Sequence, residues 1–360
     1  MNILDRYILR QLLMTFIFSI FALCIIFIIV NLLESLDDFM DHNATLWVVV
    51  KYYIVFLPEI LKILAPVAML MATLFSIGKL SNQNEIIAMK AGSMSLYRIM
   101  APLIIFGIFA SLVQLYFNGW VVPVAIKKKF EIEQKYLHEN KSGGPIYNLY
   151  FRDAPTRNVI MQFYDAEIKT GNQTAIEDYT NEIHPRLLRR IEAKRIVWDS
   201  VKSTWNLIDA MERTYTQNLT KVTKHKSLYM ALNMTHNQII QLRRSPEEMN
   251  YNELWNYIGI LKRGGKDVRK QLIEYYGNYA FPFANLIVIL FGVPFASIRK
   301  KNGIAIQVAA AMIISFAYLV FTKISQTLGY SSELNPILSG WIANIIFLVL
   351  GLFTIAKTKT

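Results

Sequence analysis

Three charged side chains, Glu59, Lys62 and Lys323, fall at the ends of long apolar runs, and a fourth, Lys51, lies a little further out. A charge in such a place is costly unless it snorkels to an interface or is paired. Two chemistries are open. In one, Glu59 and Lys62, three residues apart on a helix, form an ion pair while the lysines anchor the interface. In the other, Lys51, Lys62 and Lys323 face inward and hold the oxygens of an anionic group such as phosphate.

Other reactive arrangements are missing. RGGKD at 263–267 has Gly-Gly-Lys but lacks the upstream glycine and the following Ser or Thr of a phosphate loop. There is no G-x-S-x-G, H-E-x-x-H or CxxC. Cys24 is the only cysteine, so neither an internal disulfide nor a cysteine-based zinc site can form. His42, His138, His184, His225 and His236 are scattered without ligand spacing. These patterns imply no catalytic residue, no metal and no cofactor. They also imply that the chain does not supply its own chemical energy.

The elements that position the charges are membrane helices. The chain has 360 residues, 54% of them hydrophobic, and a mean hydropathy of +0.31, too apolar for an ordinary soluble protein. Six spans are expected on a length of about 20 residues each. They lie at 12–33, 57–79 (with helical pattern back to Leu46), 99–122, 275–298, 304–325 and 337–356. The first apolar run is too long for a signal-peptide core and no cleavage site follows it, so it reads as a retained span. Three domains result: 1–126 with three spans, a polar insert at 127–270, and 271–360 with three more.

Lysine and arginine in short segments set the orientation. Arg6, Arg10, Lys79, Lys90, Arg98, Arg299, Lys300, Lys301, Lys357 and Lys359 all fall on one side. The loops at 34–45 and 327–336 carry none, and the first holds Glu34, Asp37, Asp38 and Asp41. Both termini are therefore expected in the cytoplasm and the insert outside.

The insert reads as β structure. In SLYMALNMT, Leu228, Met230, Leu232 and Met234 alternate with polar or small residues. NVIMQFYD, RRIEAKRIVWD and STWNLIDA are further short strands separated by polar turns such as DAPTRN and KTGNQT. Their spacing suggests a sandwich or jelly roll. The apolar face carrying Leu228, Met230, Leu232 and Met234 is either an ordinary core or an incompletely closed one that receives acyl chains. Helical segments flank the strands, the second running from Tyr251 to Lys262 with a turn at Gly264-Gly265.

Between the second and third spans lies SNQNEIIAMKAGSMS, residues 81–95. It reads as a short amphipathic helix capped by Asn82, with Glu85 completing a capping box and Gly92 as the stop. Two spans need no such helix to join them. It either lies on the lipid surface or inserts into a groove on a cytoplasmic partner.

LDRYILRQLL at 4–13, GKLSNQNEIIAMKAGSMS at 78–95, FNGWVVPVA at 117–125, YAFPFANLIVILFGVPFA at 279–296 and NPILSGWIANIIFLVLG at 335–351 together resemble the LptF/LptG permease family over the whole chain. LDRYI leans towards the G type. The resemblance implies one membrane subunit of the lipopolysaccharide-export ABC transporter of the cell inner membrane. It implies a paralogous six-span partner, a cytoplasmic ATPase dimer and periplasmic jelly-roll proteins forming a bridge to the outer membrane, with no nucleic acid involved. It makes residues 81–95 the helix that docks on the ATPase, through Glu85, Ile86, Ala88, Met89 and Gly92. It makes the β insert a periplasmic jelly roll whose open edge pairs with the next in the bridge.

The chain also departs from that family. Members resembling the G type carry lysines just after the first span, where this chain has LLESLDDFMDHN. The phosphate-binding charge has moved to Lys51, Lys62 or Lys323, or divalent cations bridge acid to phosphate, or the lipid carries fewer phosphates. Asn278 replaces a residue that is often basic. Pro66, Pro102, Pro282 and Pro294 interrupt spans and act either as hinges or as static kinks. Two rival functions remain: a membrane-anchored periplasmic scaffold or sensor, and an intramembrane enzyme on lipid, which would need clustered acids or histidines.

Overall fold

Twenty apolar residues suffice to cross a bilayer, and most of the helices that form here are longer. The computed structural model describes residues 3–42, 44–136, 146–182, 184–216, 219–243, 245–263, 266–297, 303–331 and 334–357. Expectations for His138, Gly264-Gly265, Arg299, Lys300, Lys301 and Lys359 lie outside them. The chain divides into two units, Met1–His138 with Arg269–Thr360, and Glu139–Val268.

The first unit opens with α1 (Ile3–Glu34), the short α2 (Leu36–Asp41) and α3 (Leu46–Asn82). At about 1.5 Å per residue, the 37 residues of α3 reach roughly 55 Å. Pro58 and Pro66 lie within it. After α4 (Glu85–Ala91) comes α5 (Leu96–Tyr116), which passes through a π turn at Phe117–Val121 into α6 (Val122–Tyr136). The three form one helical run of 41 residues. Residues 127–136, expected at the edge of the insert, therefore continue the third span.

In the second unit, β1 (Ile146–Ala154), β2 (Arg157–Asp165), β3 (Thr170–Tyr179), β4 (Leu187–Asp199), β5 (Thr204–Thr216) and β6 (Leu219–Met230) pair antiparallel in sequential order as one sheet. This is an up-and-down meander, and the crossover pairings of a jelly roll do not occur among the described residues. Two helices follow, α7 (His236–Arg243) and α8 (Tyr251–Arg263). Ile239 and Ile260 from these helices join the sheet's apolar cluster, which centres on Val159, Met161, Ile176, Ile191, Trp205 and Leu207. Trp205 is fully buried and donates its indole N–H to the Met234 carbonyl at 2.9 Å, which satisfies the polar end of a large apolar ring.

One row breaks the alternation of this sheet. Asn148, Gln173 and Asp209, on β1, β3 and β5, have left-handed backbones with φ of 49°, 48° and 53°. The row they share with Gln162, Lys194 and Lys226 is skipped in all five pairings, though the register continues on either side. Across it, core residues follow at a spacing of three instead of two: Met161 then Tyr164, Ala193 then Ile196, Leu207 then Ala210. Asn and Asp tolerate left-handed backbone better than most residues because their short side chains bond locally.

The first unit resumes with α9 (Arg269–Ala280), a tight turn at Phe281–Phe283 and α10 (Ala284–Ser297), then α11 (Gly303–Ser331) and α12 (Pro336–Lys357). Among the described residues, six helical runs are long and apolar enough to cross a membrane. Together with the β unit they make the chain a membrane α-helical protein with an inserted antiparallel sheet. α3 is central and packs on α1, α6, α10 and α11. Its Leu70, Leu74, Ile77 and Leu80 join Leu103, Ile289 and Val293 in one core. α9 and α12 approach very closely: a Cβ on Gly340 would lie 2.9 Å from the Gly277 nitrogen. Small residues permit such contacts where lipid removes the hydrophobic drive between helices.

Candidate functional site

The short helix α4 is built differently from its sequence expectation. Asn82 ends α3 and does not cap α4. The chain reverses at Asn84, whose φ is 60°, and Asn84's carbonyl accepts from the Ala88 nitrogen at 3.0 Å. The capping box is therefore absent. Glu85 is the first helical residue, and its carboxylate favours the positive end of the helix. Its Oε1 accepts from the Tyr7 hydroxyl at 3.2 Å. Gly92 ends the helix as expected, but with φ of −79°; Ser93 takes the left-handed turn with φ of 65°.

Ile86 is only 3% exposed and packs into the core with Leu80, Leu96 and Ile99, and Met89 packs partly beside it. These two residues, expected to face a partner, tie α4 to its own bundle. The open face carries Ile87, 58% exposed, with Ala88, Ala91 and Gly92. The start of α1 braces both flanks: Tyr7 holds Glu85, and Asp5 binds Arg98 of α5 at 2.9 Å. Ser81 Oγ donates to the Ser297 carbonyl at 3.1 Å, joining the ends of α3 and α10.

Towards the other end of α3 the charges have partners that the sequence did not indicate. Glu59 binds Lys129 of α6 at 3.0 Å. Lys129 falls in the segment expected to belong to the insert, and the longer helical run of the third span carries it to Glu59. Lys62 donates to Asn278 Oδ1 of α9 at 3.4 Å. The Lys62 carbonyl accepts from Gln114 at 2.9 Å, and Asn285 donates to Gln114 and to the Pro282 carbonyl. Lys51 and Lys323 are exposed. Lys51 and Lys62 are 11 residues apart, about three helical turns and roughly 16 Å along α3, so they lie on nearly the same side of it.

The spans also hold neutral amides, which carry no charge to mark them in the sequence. Gln114, Asn118, Asn285 and Asn344 are all buried in the membrane unit. Asn118, 4% exposed, sits in the π turn, and neither amide atom has a hydrogen-bond partner. The available signal was an Asn or Gln inside an apolar run. Among the described residues no group of three or more His, Cys, Asp or Glu could hold a metal ion.

In the β unit, Leu228 and Met230 lie on the final strand, partly buried against the core. Leu232 and Met234 reach the same core from the segment after β6, since the strand stops at Met230. That segment is fixed by Asp153, whose Oδ1 accepts from the Met234 nitrogen at 3.0 Å. Burial holds the Asp153 carboxyl above the usual carboxylate range. Tyr164 hydrogen-bonds to His236 Nδ1. Burial, with Lys169 nearby, pushes the His236 imidazole below its ordinary value. Beyond the apolar rows the same face carries the ion pairs Arg157–Asp178 at 2.6 Å and Arg189–Glu212 at 2.7 Å, and a hydrogen bond between His225 and Glu212 at 2.9 Å.

Comparison with known proteins agrees over almost the whole length. The family model described as lipopolysaccharide export system permease LptF/LptG matches residues 6–357. The chain is 19% identical to the lipopolysaccharide export system permease protein LptG of Haemophilus influenzae, covering 97% of both chains. It is 19% identical to LptG of Escherichia coli K12, over 99% of this chain and 98% of that one. It is 22% identical to LptF of the same strain, over 97% of this chain and 93% of the relative. With six apolar helical runs, one inserted sheet and a match from Arg6 to Lys357, this chain belongs to the LptF/LptG family of lipopolysaccharide export permeases.

Proposed function

We propose that this chain is an inner-membrane permease subunit that extracts lipopolysaccharide and passes it to a periplasmic bridge, driven by a separate cytoplasmic ATPase dimer. It pairs with a paralogous six-span subunit around a common cavity. Both termini and α4 face the cytoplasm, and the β unit faces the periplasm. The observation that carries the reading is α4 itself: Ile86 and Met89 root it in the bundle while Ile87, Ala88 and Ala91 stay open beside Glu85. An apolar surface of that kind on a short helix suits insertion into a partner's groove. ATP-driven movement of that partner then reaches α3 and α5, between which α4 is strung.

Lys51, Lys62 and Lys323 are the candidates for holding the glycolipid's phosphates. Lys51 and Lys62, near one side of α3, suit two anionic groups better than one. Lys62 at Asn278 takes the place of the basic residue often found there in the family. Leu228, Met230, Leu232 and Met234 are the candidates for meeting acyl chains in the β unit, and its edge strand for joining the bridge.

The test is co-purification. The tagged chain should bring down a stoichiometric ATPase and its paralogue, and Ile87→Glu should abolish the ATPase band while leaving the paralogue band. An unchanged ATPase yield with Ile87→Glu and with Ala88→Glu would overturn the assignment of α4. Failure of the unmodified chain to recruit any ATPase would overturn the transport reading.

A further inference from the structure

A furrow of about 420 Å³ runs between α1 and α5, within the membrane unit. Leu9 and Leu13 line it from α1, and Ala101, Pro102, Ile105 and Phe109 from α5. Asp5 and Arg98, paired at 2.9 Å, close one end. From Arg98 to Phe109 is 11 residues, about 16 Å of helix, or half of a hydrocarbon core of about 30 Å. The furrow is therefore as deep as one leaflet. Its charged end carries more than the ion pair. Leu9 and Leu13 follow Asp5 around α1 by about 40° and 80°, and Arg6 and Arg10 by about 100° and 140°. The two arginines thus stand just outside the lining stripe, away from the buried Ile8 and Leu12, and both are exposed. Arg98 gives Nη2 to Asp5, but a guanidinium has five N–H donors, and this side chain stays 40% exposed. Three guanidinium groups therefore gather around one carboxylate at the mouth of an apolar recess.

We infer that this furrow binds an anionic phospholipid. One acyl chain lies along Ala101, Pro102 and Phe109, and Arg98, Arg6 and Arg10 hold the headgroup phosphate. Basic groups beside a recess between spanning helices are suited to anionic headgroups. Anchoring at the interface would account for Arg6 and Arg10 by themselves. It does not account for an apolar recess of one-leaflet depth that ends on a third arginine. A partner's spanning helix would need a seam through both leaflets, and the furrow stops at Phe109. The inference goes beyond the proposed function and rests on it only in naming the leaflet, which is the cytoplasmic one in that orientation.

The detergent-solubilised full-length chain should be titrated with dioleoyl phosphatidylglycerol and dioleoyl phosphatidylcholine, and the bound lipid counted by native mass spectrometry. A single phosphatidylglycerol should bind per chain, with phosphatidylcholine at least about tenfold weaker. Arg6→Gln with Arg10→Gln should weaken phosphatidylglycerol at least about fivefold and leave phosphatidylcholine unchanged. Lys79→Gln with Lys357→Gln, which removes the same charge elsewhere, should change neither lipid. Ala101→Phe fills the recess and should abolish the tight site. A photoreactive group placed at Ile105 should label lipid. Equal binding of the two lipids, equal losses in the arginine and lysine pairs, or undiminished binding with Ala101→Phe overturns the site. So does labelling of a second polypeptide from Ile105, because the furrow then seats a helix. Displacement of phosphatidylglycerol by added lipopolysaccharide overturns it too, because the furrow then belongs to the cargo. ATPase co-purification with the same chain separates the two proposals. An intact ATPase complex without lipid selectivity sinks the furrow alone, and selectivity without an ATPase sinks the transport reading alone.

Discussion

Lys129 Nζ lies 3.0 Å from Glu59 Oε2 and 4.0 Å from the centre of the Phe56 ring. The ion pair thus joins α3 to α6 and is backed by an aromatic face. Both side chains are mostly buried, at 14% and 24% exposure. A double-mutant cycle of Glu59→Gln with Lys129→Met should give a coupling of about 1–2 kcal/mol in denaturant melts of the detergent-solubilised chain. The same cycle for Glu59 with Lys62 should give a smaller value. Equal couplings would mean that Glu59 is shared.

Ile86 and Ile87 are neighbours with opposite roles. Ile86→Ala removes a fully packed side chain and should destabilise the chain by about 2–4 kcal/mol. Ile87→Ala exposes nothing new and should stay within about 0.5 kcal/mol of the unmodified chain. Thermal melts of the isolated chain check both. The reverse order would mean that α4 is turned over.

Gly340 permits a helix contact made against backbone, since its added Cβ would lie 2.9 Å from the Gly277 nitrogen. Backbone cannot step aside as a flexible side chain can. Gly340→Leu should therefore cost about 1–3 kcal/mol or more, while Gly259→Leu, in open space, should leave stability nearly unchanged. Melting of the two variants side by side is the measurement.

Acid should weaken the β unit through His236. Its imidazole is held below the ordinary value by burial and by Lys169, so the unfolded chain takes up the proton first. Stability from this group is whole above the unfolded pKa of about 6.5 and declines as pH falls through the depressed folded value. Asp153 acts in the opposite sense, because its raised pKa means that acid relieves a buried charge as pH nears the carboxylate range. Protection factors of the amides in β2 and β5, with the intrinsic pH dependence of exchange removed, should fall between pH 7 and pH 5, and His236→Gln should flatten that change. Protection independent of pH in the unmodified chain would refute it.

The spans were legible because a bilayer demands length and apolarity, and both can be read residue by residue. The strands were legible as strands, but the meander order was not, since alternation fixes a face and says nothing of neighbours. Lys129 went unrecognised as the partner of Glu59 because KKKFEIEQK looks like a soluble helix and is the end of a 41-residue one. Ile86 was assigned outward because a helix of seven residues is apolar on more than one side, and only packing decides which side is anchored. The slipped row in the sheet had no sequence signal: Asn148 and Asp209 suit left-handed backbone, but Gln173 does not, and it follows its neighbours.

That slipped row also dictates what can extend the sheet. β1 and β6 are the two borders, and each carries the interruption, at Asn148 and opposite Asp209. A guest ribbon zipped along either border must change step at the matching rung or lose its bonds from there on. Any strand added there would be keyed to a single alignment by a notch cut into the backbone, which no side-chain exchange on the guest can file away.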